Sequence, residues 1–441
     1  MKIVQAVGWY FPDSLGGTEV YVAGLCRRLR AAGQEVLVTA PDPAATEERT
    51  YEHDGVPVYR YPIPAAPTRE EAQGWVPARG AERFHRWLAA QRPEIVHAHT
   101  FVTGLGLAEL KAAKTAGSRV IVTTHSASLG WICQRGTMMR WGRHLCDGLC
   151  RPAKCAACAL QHRGLPVPLA RVVGAVPPAL SRMARGLPGK VGTALGMTDL
   201  IARNQAMQRE MLRTVDRFVL LTAWAVEAAA ANGAPRGKLA LNRLGLSQGK
   251  VTPKPGPEQR PTTSPVTVGY LGRFERLKGV HDLARAIASL PPDVPLRVEF
   301  RGPVVSQAER RCVEELRALV GSDPRVRFAP VVPPDGSLEA LASYDVLCCP
   351  SLALEGGPTV AIEAHAVGTP VIGARIGGLA ELVSDGLNGR LVAPGDWRGL
   401  TAAIRDIARN PAATVDRWRR ALPAARNMDQ IAADYLALYA A

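Results

Sequence analysis

Short apolar runs alternate with longer amphipathic stretches along most of the 441-residue chain. Runs rich in Val and Ile without polar alternation predict strands that are buried on both faces, as in a parallel sheet. Two of the stretches between them, 18–32 and 81–91, have helical spacing and stop at a glycine or before a proline. The first half of the chain is therefore predicted to form a helix-covered parallel sheet with strands at 2–7, 35–39, 56–61, 94–97 and 119–124.

The same alternation restarts after residues 248–265, which are rich in Pro, Lys and Gly and have the composition of a linker. Further strands are predicted at 266–271, 296–300, 326–329, 346–349, 370–373 and 390–392. Helices are predicted between and after them at 282–290, 307–320, 338–343, 359–367, 379–384 and 397–409. A second doubly wound α/β domain is therefore expected.

The predicted organisation is two Rossmann-like parallel-sheet domains that face a central cleft, the default ligand site of such a pair. The N-terminal domain spans 1–247 and contains a cysteine-rich insert at 130–160 and a basic helical insert at 161–215. The C-terminal domain spans 266–425, and residues 426–441 are expected to form a helix that packs back on the N-terminal domain.

Several function classes are disfavoured by what the sequence lacks. Neither domain contains a Gly-x-Gly-x-x-Gly fingerprint or a Walker loop, so nicotinamide, flavin and P-loop enzymes are demoted. The first eight residues are too short an apolar run for a signal peptide, and no later run reaches the roughly 18 residues of a membrane span. We therefore predict a cytoplasmic protein.

The stretch 350–364 carries the strongest chemical signal. It follows a predicted strand, passes through Gly357 and Pro358, and opens a helix at Thr359, so that free backbone N–H groups can hold an anion. Glu355 and Glu363 lie eight residues apart, about 12 Å along a helix, which is too far for the carboxylate pair of a glycosidase. The two glutamates are therefore expected to contact different parts of one ligand.

Two cations belong to the first strand-to-helix turn of the same domain. Arg273 and Lys278 follow the predicted strand 266–271. Because such turns open at the carboxyl edge of a parallel sheet, both cations are expected to converge on the phosphates of the ligand that the glutamates hold. A diphosphate that joins two polyols has this polarity, and the cations would stabilise it as a leaving group.

These residues resemble the retaining GT-B glycosyltransferases of family 4. The resemblance rests on Gly272-Arg273 with Lys278-Gly279, the Glu355 and Glu363 pair, 368–372, 377–382, 385–389 and 391–396. It implies a hexosyltransferase that uses a UDP- or GDP-linked sugar, retains the anomeric configuration and requires no catalytic metal. Arg273 and Lys278 would stabilise the departing diphosphate, Glu363 would bind the ribose, and Glu355 would bind hydroxyls of the donor sugar. The family often carries a bulkier residue at the position of Gly357.

The resemblance extends more weakly to the N-terminal domain. Gly16 and Gly17 open the first long helix, and the family uses this loop to approach the donor phosphate. His125, at the end of the strand predicted at 119–124, resembles a histidine that these enzymes place near the sugar. His97 and His99 are expected to lie behind the site. The alternative is a catalytically inactive GT-B scaffold that docks a partner through its cysteine-rich insert.

Five of the nine cysteines fall between positions 133 and 158. Cys155 and Cys158 have the Cys-x2-Cys spacing of a metal half-site, and Cys146 and Cys150 supply a second pair, with Cys133 as an alternate ligand. A structural zinc is predicted, and an iron-sulfur cluster is the alternative metal centre. The alternative without a metal is a set of unligated loop thiols. The insert is expected to shape the acceptor side of the cleft.

The formal charge of +15 is concentrated in one part of the chain. Residues 111–265 hold 23 basic and 6 acidic residues, whereas residues 266–441 hold 20 of each. Nucleic-acid binding is disfavoured because aromatic and basic residues do not interleave. The expected partner is an anionic, phosphorylated or lipid-linked acceptor. The basic insert is predicted either to pack as a helical lid on its domain or to contact the inner membrane surface.

Overall fold

The structure, a computed structural model, describes residues 1–14, 16–125, 132–246, 264–333, 336–354 and 356–441, apart from the side chain of Arg185. It divides into two compact units. Unit 1 comprises Met1–Trp141, Cys146–Gln248 and Asn427–Ala441, and unit 2 comprises Gly142–Leu145 and Gly249–Arg426.

The described residues of unit 1 form an eight-stranded sheet in the order β10-β9-β6-β5-β1-β2-β4-β3. The strands up to residue 246 are β1 (Lys2–Ala6), β2 (Glu35–Asp42), β3 (Arg49–His53), β4 (Val56–Pro62), β5 (Ile95–Ala98), β6 (Arg119–Thr123), β7 (Met139–Arg140), β8 (His144–Leu145), β9 (Arg217–Leu220) and β10 (Leu239–Leu241). Neighbouring strands of this sheet pair in parallel except β3 and β4.

The apolar runs of the sequence become the buried centre of this sheet. Ile3, Val4, Val38 and Val120 have no exposed surface, as expected for strands that are covered on both faces. Five strands were not predicted: β3, β9 and β10 of this sheet, and the two-residue strands β7 and β8, which are not part of it. Strand β3 is an antiparallel edge strand with the sequence RTYEH, which has no apolar run, and β9 and β10 contain only four and three residues.

The helices of unit 1 up to residue 246 cover the sheet and build the insert. They are α1 (Gly17–Ala31), α2 (Arg69–Ala72), α3 (Ala81–Gln91), α4 (Leu107–Thr115), α5 (Pro152–His162), α6 (Val167–Gly174), α7 (Pro178–Met183), α8 (Gly189–Leu195), α9 (Met197–Thr214) and α10 (Ala223–Ala231). Helix α9 contacts α5, α7, α8 and α4, so the helices of the insert pack on the rest of unit 1 through α9.

The described part of unit 2 forms a six-stranded sheet in the order β13-β12-β11-β14-β15-β16, and its strands pair in parallel. These strands are β11 (Val266–Leu271), β12 (Leu296–Arg301), β13 (Val326–Ala329), β14 (Val346–Cys349), β15 (Val371–Ala374) and β16 (Gly389–Val392). Each lies where a strand was predicted. Strand β15 begins one residue later than predicted, after Pro370, which has no N–H to donate to a neighbouring strand.

The helices of unit 2 alternate with these strands or follow the last of them. They are α11 (Val280–Ala288), α12 (Gln307–Val320), α13 (Ser337–Ser343), α14 (Thr359–Ala366), α15 (Gly377–Leu382), α16 (Trp397–Arg409) and α17 (Arg417–Arg420). Helix α12 begins where Ser306 and Glu309 form a reciprocal capping box, which satisfies N–H groups that the helix itself leaves open. Residues of α11, α12 and α16 share one apolar core with β11 and β12.

The chain ends in helix α18 (Met428–Ala440), which belongs to unit 1. Its buried side chains include Ile431, Tyr435 and Tyr439, which join the core around α1. Arg28 of α1 also donates a hydrogen bond to Asp429 over 3.0 Å. Within the described ranges, no helix has both the length and the apolar character that crossing a bilayer requires.

Candidate functional site

The strand order of unit 2 has a switch point between β11 and β14, because connections leave these two neighbours in opposite directions. Ligands of open parallel sheets bind beyond the carboxyl ends of the strands at such a point. Arg273 and Lys278 follow β11, and residues 350–360 follow β14. The topology therefore places both predicted phosphate-binding stretches at one edge of the sheet.

Close backbone contacts hold these two loops together. Gly279 has φ +69°, and a side chain there would place its Cβ 1.8 Å from the Pro350 carbonyl oxygen, so only glycine fits. Leu352 N–H donates to the Leu277 carbonyl over 2.8 Å, and the Ser351 hydroxyl donates to the same carbonyl over 3.2 Å. The segment that carries Lys278 is thereby fixed against the loop after β14.

A cavity of about 290 Å³, here called the unit 2 cavity, opens between these loops. Its lining includes both predicted cations and the predicted anion-binding turn: Arg273, Lys278, Gly357, Pro358 and Thr359. Helix α14 begins at Thr359, so its first N–H groups and the positive end of its dipole lie at the cavity. Two cationic side chains and a helix N-terminus make a site suited to a diphosphate.

Glycines let the backbone approach closely beside this cavity. Gly357 has φ +130°, and a Cβ on Gly378 would lie 2.6 Å from the Gly357 Cα atom. The loop before α14 and the start of α15 are thus in backbone contact. A residue with a side chain at position 357 would be strained at this φ.

The Arg273 guanidinium is largely exposed and forms an ion pair with Glu275 over 3.1 Å. An exposed pair of this kind is weak because water screens it. Arg273 can therefore exchange Glu275 for a more highly charged phosphate at little cost.

Of the two predicted glutamates, the structure describes only Glu363. Glu355 lies outside the described residues, and its role stays a prediction. Glu363 lies on α14, four residues after Thr359, and burial raises the pKa of its carboxyl to about 7. It is not among the residues that line the unit 2 cavity. Ligand hydroxyls that donate hydrogen bonds to this carboxyl would favour its ionised form, which is the stronger acceptor.

Unit 1 contains a larger cavity, of about 530 Å³, here called the unit 1 cavity. It lies at the switch point of the unit 1 sheet, where β1 has β5 on one side and β2 on the other. Trp9 follows β1, His99 follows β5 and His125 follows β6, and all three line the cavity. The Trp9 side chain is about half exposed. Trp9 was not predicted as a site residue from the sequence.

A chain of hydrogen bonds runs from His125 into the core of unit 1. His125 Nε2 lies 3.1 Å from His99 Nδ1, and His99 Nε2 lies 2.7 Å from Gln5 Oε1. Gln5 Nε2 donates to the Tyr439 hydroxyl over 3.2 Å, and that hydroxyl lies 2.7 Å from His97 Nδ1. His97 therefore lies behind His99, as predicted, whereas His99 is itself part of the cavity wall.

This chain determines the tautomers of His99 and His125. Gln5 Oε1 can only accept, so His99 Nε2 carries the proton and His99 Nδ1 accepts from His125 Nε2–H. Burial lowers the pKa of His125 to about 4 and that of His99 well below its usual value, so both rings are neutral near pH 7. The remaining nitrogen, His125 Nδ1, is thus an unprotonated hydrogen-bond acceptor.

Thr100 and Asn204 line the unit 1 cavity, and each has one buried polar atom without a hydrogen-bond partner among the described residues, Thr100 Oγ1 and Asn204 Oδ1. The Asn204 amide is held in place because its Nδ2 donates to Gln134 Oε1 over 2.6 Å. Leaving such atoms unsatisfied costs about 1–3 kcal/mol each, which a hydroxyl-bearing ligand would recover. The cavity is therefore chemically suited to a polyol.

Gly16 and Gly17, at the start of α1, lie next to the unit 1 cavity without lining it. Thr18, the next residue, is part of the lining. A Cβ on Gly16 would lie 2.3 Å from Glu19 Oε2, so the Glu19 side chain would have to shift, whereas a Cβ on Gly17 would meet no atom within 4 Å. The phosphate-binding role of Gly16 and Gly17 remains a prediction.

Residues of the cysteine-rich insert also line the unit 1 cavity, among them Cys133, Gln134 and Arg135. The Arg135 side chain is held by a hydrogen bond to Gln161 Oε1 over 2.9 Å. The insert therefore supplies a positive charge to the same cavity as His125.

The structure does not support the predicted zinc. No three or more His, Cys, Asp or Glu side chains are placed to hold a metal ion in the part of the chain that is described. The thiols have other partners instead. Cys150 and Cys155 are hydrogen-bonded to each other, which raises the pKa of Cys150 and lowers that of Cys155. The Cys146 sulfur lies 3.7 Å from Lys154 Nζ.

Four of the five cysteines of the insert line one small cavity, with the alternate ligand Cys133 in place of Cys150. Cys133, Cys146, Cys155 and Cys158 line a small cavity of about 30 Å³, whereas the buried Cys150 is not part of that lining. The described thiols of the insert thus correspond to the alternative without a metal, although Cys155 and Cys158 lie on α5 and not in a loop.

Solved structures with the same architecture are glycosyltransferases of the GT-B class, and the predicted fold class is confirmed. The sucrose-phosphate synthase from Thermosynechococcus elongatus aligns with a TM-score of 0.65 and 21% identity, covering 100% of this chain and 98% of that one. Anabaena HepE in complex with UDP aligns with a TM-score of 0.60 and 16% identity over the full length of both chains.

Family models match both units. The model described as glycosyl transferase 4-like domain matches residues 16–245, more than half of the chain, and the model described as glycosyl transferases group 1 matches residues 256–425. The chain belongs to this glycosyltransferase family, and the predicted family membership is confirmed. It is a glycosyltransferase, so the scaffold alternative is not favoured.

Curated relatives agree with this result. A D-inositol 3-phosphate glycosyltransferase of Streptomyces coelicolor is 28% identical over 417 residues, 90% of this chain and 80% of the relative. A protein of the same name from Corynebacterium urealyticum is 44% identical over 130 residues, and this match spans 28% of the chain and 30% of the relative.

Proposed function

We propose that this glycosyltransferase moves a hexosyl group from a nucleoside diphosphate sugar to an acceptor hydroxyl with retention of the anomeric configuration. The observation that carries the proposal is the lining of the unit 2 cavity, where Arg273, Lys278 and the N-terminus of α14 meet. A UDP- or GDP-linked sugar presents a diphosphate to such a site. The UDP bound to the Anabaena protein of the same fold agrees with this choice.

In the proposed reaction, the bond between the anomeric carbon and the diphosphate oxygen breaks first, and the acceptor oxygen then bonds to the anomeric carbon on the same face. The acceptor proton passes to the departing diphosphate. Arg273 and Lys278 stabilise the charge that develops on the leaving group, and the N–H groups of α14 add to this field. The reaction needs no catalytic metal if these charges are sufficient.

The glutamates and the glycine loop bind the remaining parts of the donor. Glu363 accepts hydrogen bonds from the ribose hydroxyls, and its raised pKa makes this contact dependent on pH. Glu355 binds hydroxyls of the donor sugar, and the loop at Gly16 and Gly17 approaches the β-phosphate. His125, whose Nδ1 is an acceptor, orients a hydroxyl group and is not a nucleophile.

The unit 1 cavity is proposed to bind the acceptor. The open acceptor atoms of Thr100 and Asn204 fit a hydroxyl-rich molecule, and Arg135 fits an anionic substituent. A phosphorylated polyol combines both features, which is consistent with the D-inositol 3-phosphate named in the curated relatives. The insert thus shapes the acceptor site through Gln134 and Arg135 without requiring a metal.

Thermal unfolding with a panel of UDP-, GDP-, ADP- and dTDP-linked sugars tests this proposal, because a bound donor stabilises the folded state by mass action. At least one nucleotide sugar is expected to raise the midpoint, and the same compound should be hydrolysed slowly without acceptor. NMR of the product formed with a phosphorylated polyol should show the anomeric configuration of the donor. Inversion would contradict the retaining mechanism, and no stabilisation by any donor would contradict the proposal as a whole.

A further inference from the structure

Six large apolar side chains on or next to three consecutive helices of unit 1 are exposed. Leu169 and Val172 lie on α6, Leu180 and Met183 on α7, and Leu187 and Val191 just before and on α8; this set is here called the apolar patch. Their exposed fractions range from 48% to 80%. Six such residues within 23 positions are unusual, because exposed apolar residues of folded proteins are normally scattered.

The spacing of these residues follows the helices. Leu169 and Val172, like Leu180 and Met183, are separated by three positions, which places each pair on one helix face. The opposite faces are fixed inside unit 1. On α6, a Cβ at Gly174 would lie 2.7 Å from Ala157 N of α5, and on α7 the Ser181 hydroxyl donates to the Leu195 carbonyl over 2.6 Å.

The two predictions for this insert are therefore compatible. One face packs on unit 1 as a lid would, and the other presents apolar side chains to solvent. Because the inner face is packed, the exposed side chains belong to folded helices and not to an unfolded segment. They are held outward by a fixed scaffold.

The charges around the apolar patch are of one sign. Residues 148–198 contain seven Lys or Arg and no Asp or Glu. Arg171, Arg182 and Lys190 are exposed beside the apolar side chains. Arg182 is 3.6 Å from Asp199, so the nearest acidic residue along the chain is already paired. An apolar surface with a basic surround fits a partner that is apolar inside and anionic at its surface.

We propose that the apolar patch is a membrane-docking surface that binds anionic lipid. Interfacial helices bind bilayers in this way, with apolar side chains below the headgroups and basic side chains at the phosphates. A second copy of the chain is the poorer partner, since it would bring the same positive charge against this surface. The proposal does not depend on glycosyl transfer, and its test is separate from donor binding.

Co-sedimentation of the full chain with vesicles tests this proposal. Vesicles of phosphatidylglycerol and phosphatidylcholine are expected to bind the protein at low salt, and pure phosphatidylcholine vesicles are expected to bind it weakly. Met183→Glu and Val172→Glu should each lower the partitioning of the protein onto anionic vesicles about tenfold. Each variant places a charge where an apolar side chain would enter the bilayer. The matched control is Val305→Glu in unit 2, since Val305 is as exposed as Met183 but lies outside the apolar patch.

Lys190→Glu should weaken binding to the anionic vesicles and leave the small binding to phosphatidylcholine unchanged. Unfolding midpoints and donor-induced stabilisation should match the wild type in all four variants. The proposal is overturned if anionic vesicles do not bind the protein, or if Met183→Glu binds them as the wild type does. It is also overturned if sedimentation velocity shows a dimer that Met183→Glu dissociates, because the patch would then belong to a second copy.

Discussion

The two cavities of this protein are assembled from the sequence in different ways. The unit 2 cavity is lined by residues of two short stretches, 270–278 and 348–360. The unit 1 cavity combines residues from Trp9 to Asn204, which come from strand ends, the cysteine-rich insert and α9. The first presents cations and a helix N-terminus, whereas the second presents neutral histidines and unpaired acceptor atoms. A diphosphate suits the former and a polyol suits the latter.

This difference leads to separable expectations. Substitutions in the unit 2 cavity should change donor binding and leaving-group stabilisation, and substitutions in the unit 1 cavity should change acceptor use.

Lys278→Ala should lower turnover at least 100-fold, about 3 kcal/mol, because it removes a charge that stabilises the departing diphosphate. Turnover with a saturating donor and the unfolding midpoint should be measured together, and the midpoint is expected to stay near that of the wild type. Lys111→Ala is the control, since Lys111 is an exposed lysine of α4 that is paired with Glu210 over 3.0 Å. Equal turnover in the two variants would refute the role of Lys278.

Donor affinity should rise with pH around neutrality. The Glu363 pKa is raised to about 7 by burial, and the ionised form accepts hydroxyl hydrogens. Below pH 7, each unit of pH should weaken binding by up to tenfold, since a proton must be released on binding. Calorimetric titration of a nucleotide sugar at about pH 6 and about pH 8 measures this, and Glu363→Gln should bind with no such pH dependence.

The same carboxyl should affect stability with the opposite sign. A carboxyl whose folded-state pKa is raised stabilises the folded state below its unfolded pKa of about 4.5, and this contribution is lost as the pH rises through 7. Without ligand, Glu363→Gln should therefore unfold at a higher temperature than the wild type at about pH 8 and at a similar one at about pH 4. A lower midpoint for the variant at about pH 8 would contradict burial as the cause of the shift.

Asn204→Ala should raise the KM for the acceptor about five- to thirtyfold, or about 1–2 kcal/mol, through loss of a hydrogen bond in the unit 1 cavity. Donor hydrolysis without acceptor should not change. Gln205→Ala is the control, because the neighbouring Gln205 side chain donates to the Cys150 carbonyl over 2.6 Å and does not line the cavity. If both variants raise KM equally, the effect comes from α9 packing and not from acceptor contact.

Gln5→Leu should lower turnover only several-fold and leave donor affinity unchanged. Without Gln5 Oε1 as acceptor, His99 can adopt either tautomer, while His125 stays in place. NMR of the histidine ring nitrogens should show a proton fixed on Nε2 of both rings in the wild type and mixed tautomers in the variant. Gln73→Leu is the control: it alters an amide that lines the unit 1 cavity, and it should keep the wild-type pattern. An unchanged pattern in Gln5→Leu would contradict the proposed chain of hydrogen bonds.

The contrast between the cavities also explains what the sequence could predict. Each predicted strand of unit 2 was found because Val- and Ile-rich runs mark buried parallel strands. Arg273, Lys278 and the turn at Gly357 were predicted as neighbours because parallel topology brings consecutive strand ends to one edge. Short-range motifs were therefore sufficient to predict these lining residues of the unit 2 cavity.

The unit 1 cavity depends on tertiary packing that no local pattern encodes. Asn204 lies in a helix of the insert, and nothing in its sequence neighbourhood indicates that it lines a cavity with a buried amide oxygen that has no hydrogen-bond partner among the described residues. The hydrogen bond between Gln5 and Tyr439 joins residues 434 positions apart. The zinc prediction is not supported for the same reason: the spacing of the cysteines is compatible with a tetrahedral site, but in the folded insert Cys150 is hydrogen-bonded to Cys155.

The most direct test of the separation between the two cavities is the dissociation constant of a stabilising nucleotide sugar for three proteins: the wild type, Lys278→Ala and Asn204→Ala. The account predicts equal constants for the wild type and Asn204→Ala and a constant at least tenfold larger for Lys278→Ala. A loss of donor binding in Asn204→Ala, with full binding in Lys278→Ala, would contradict it.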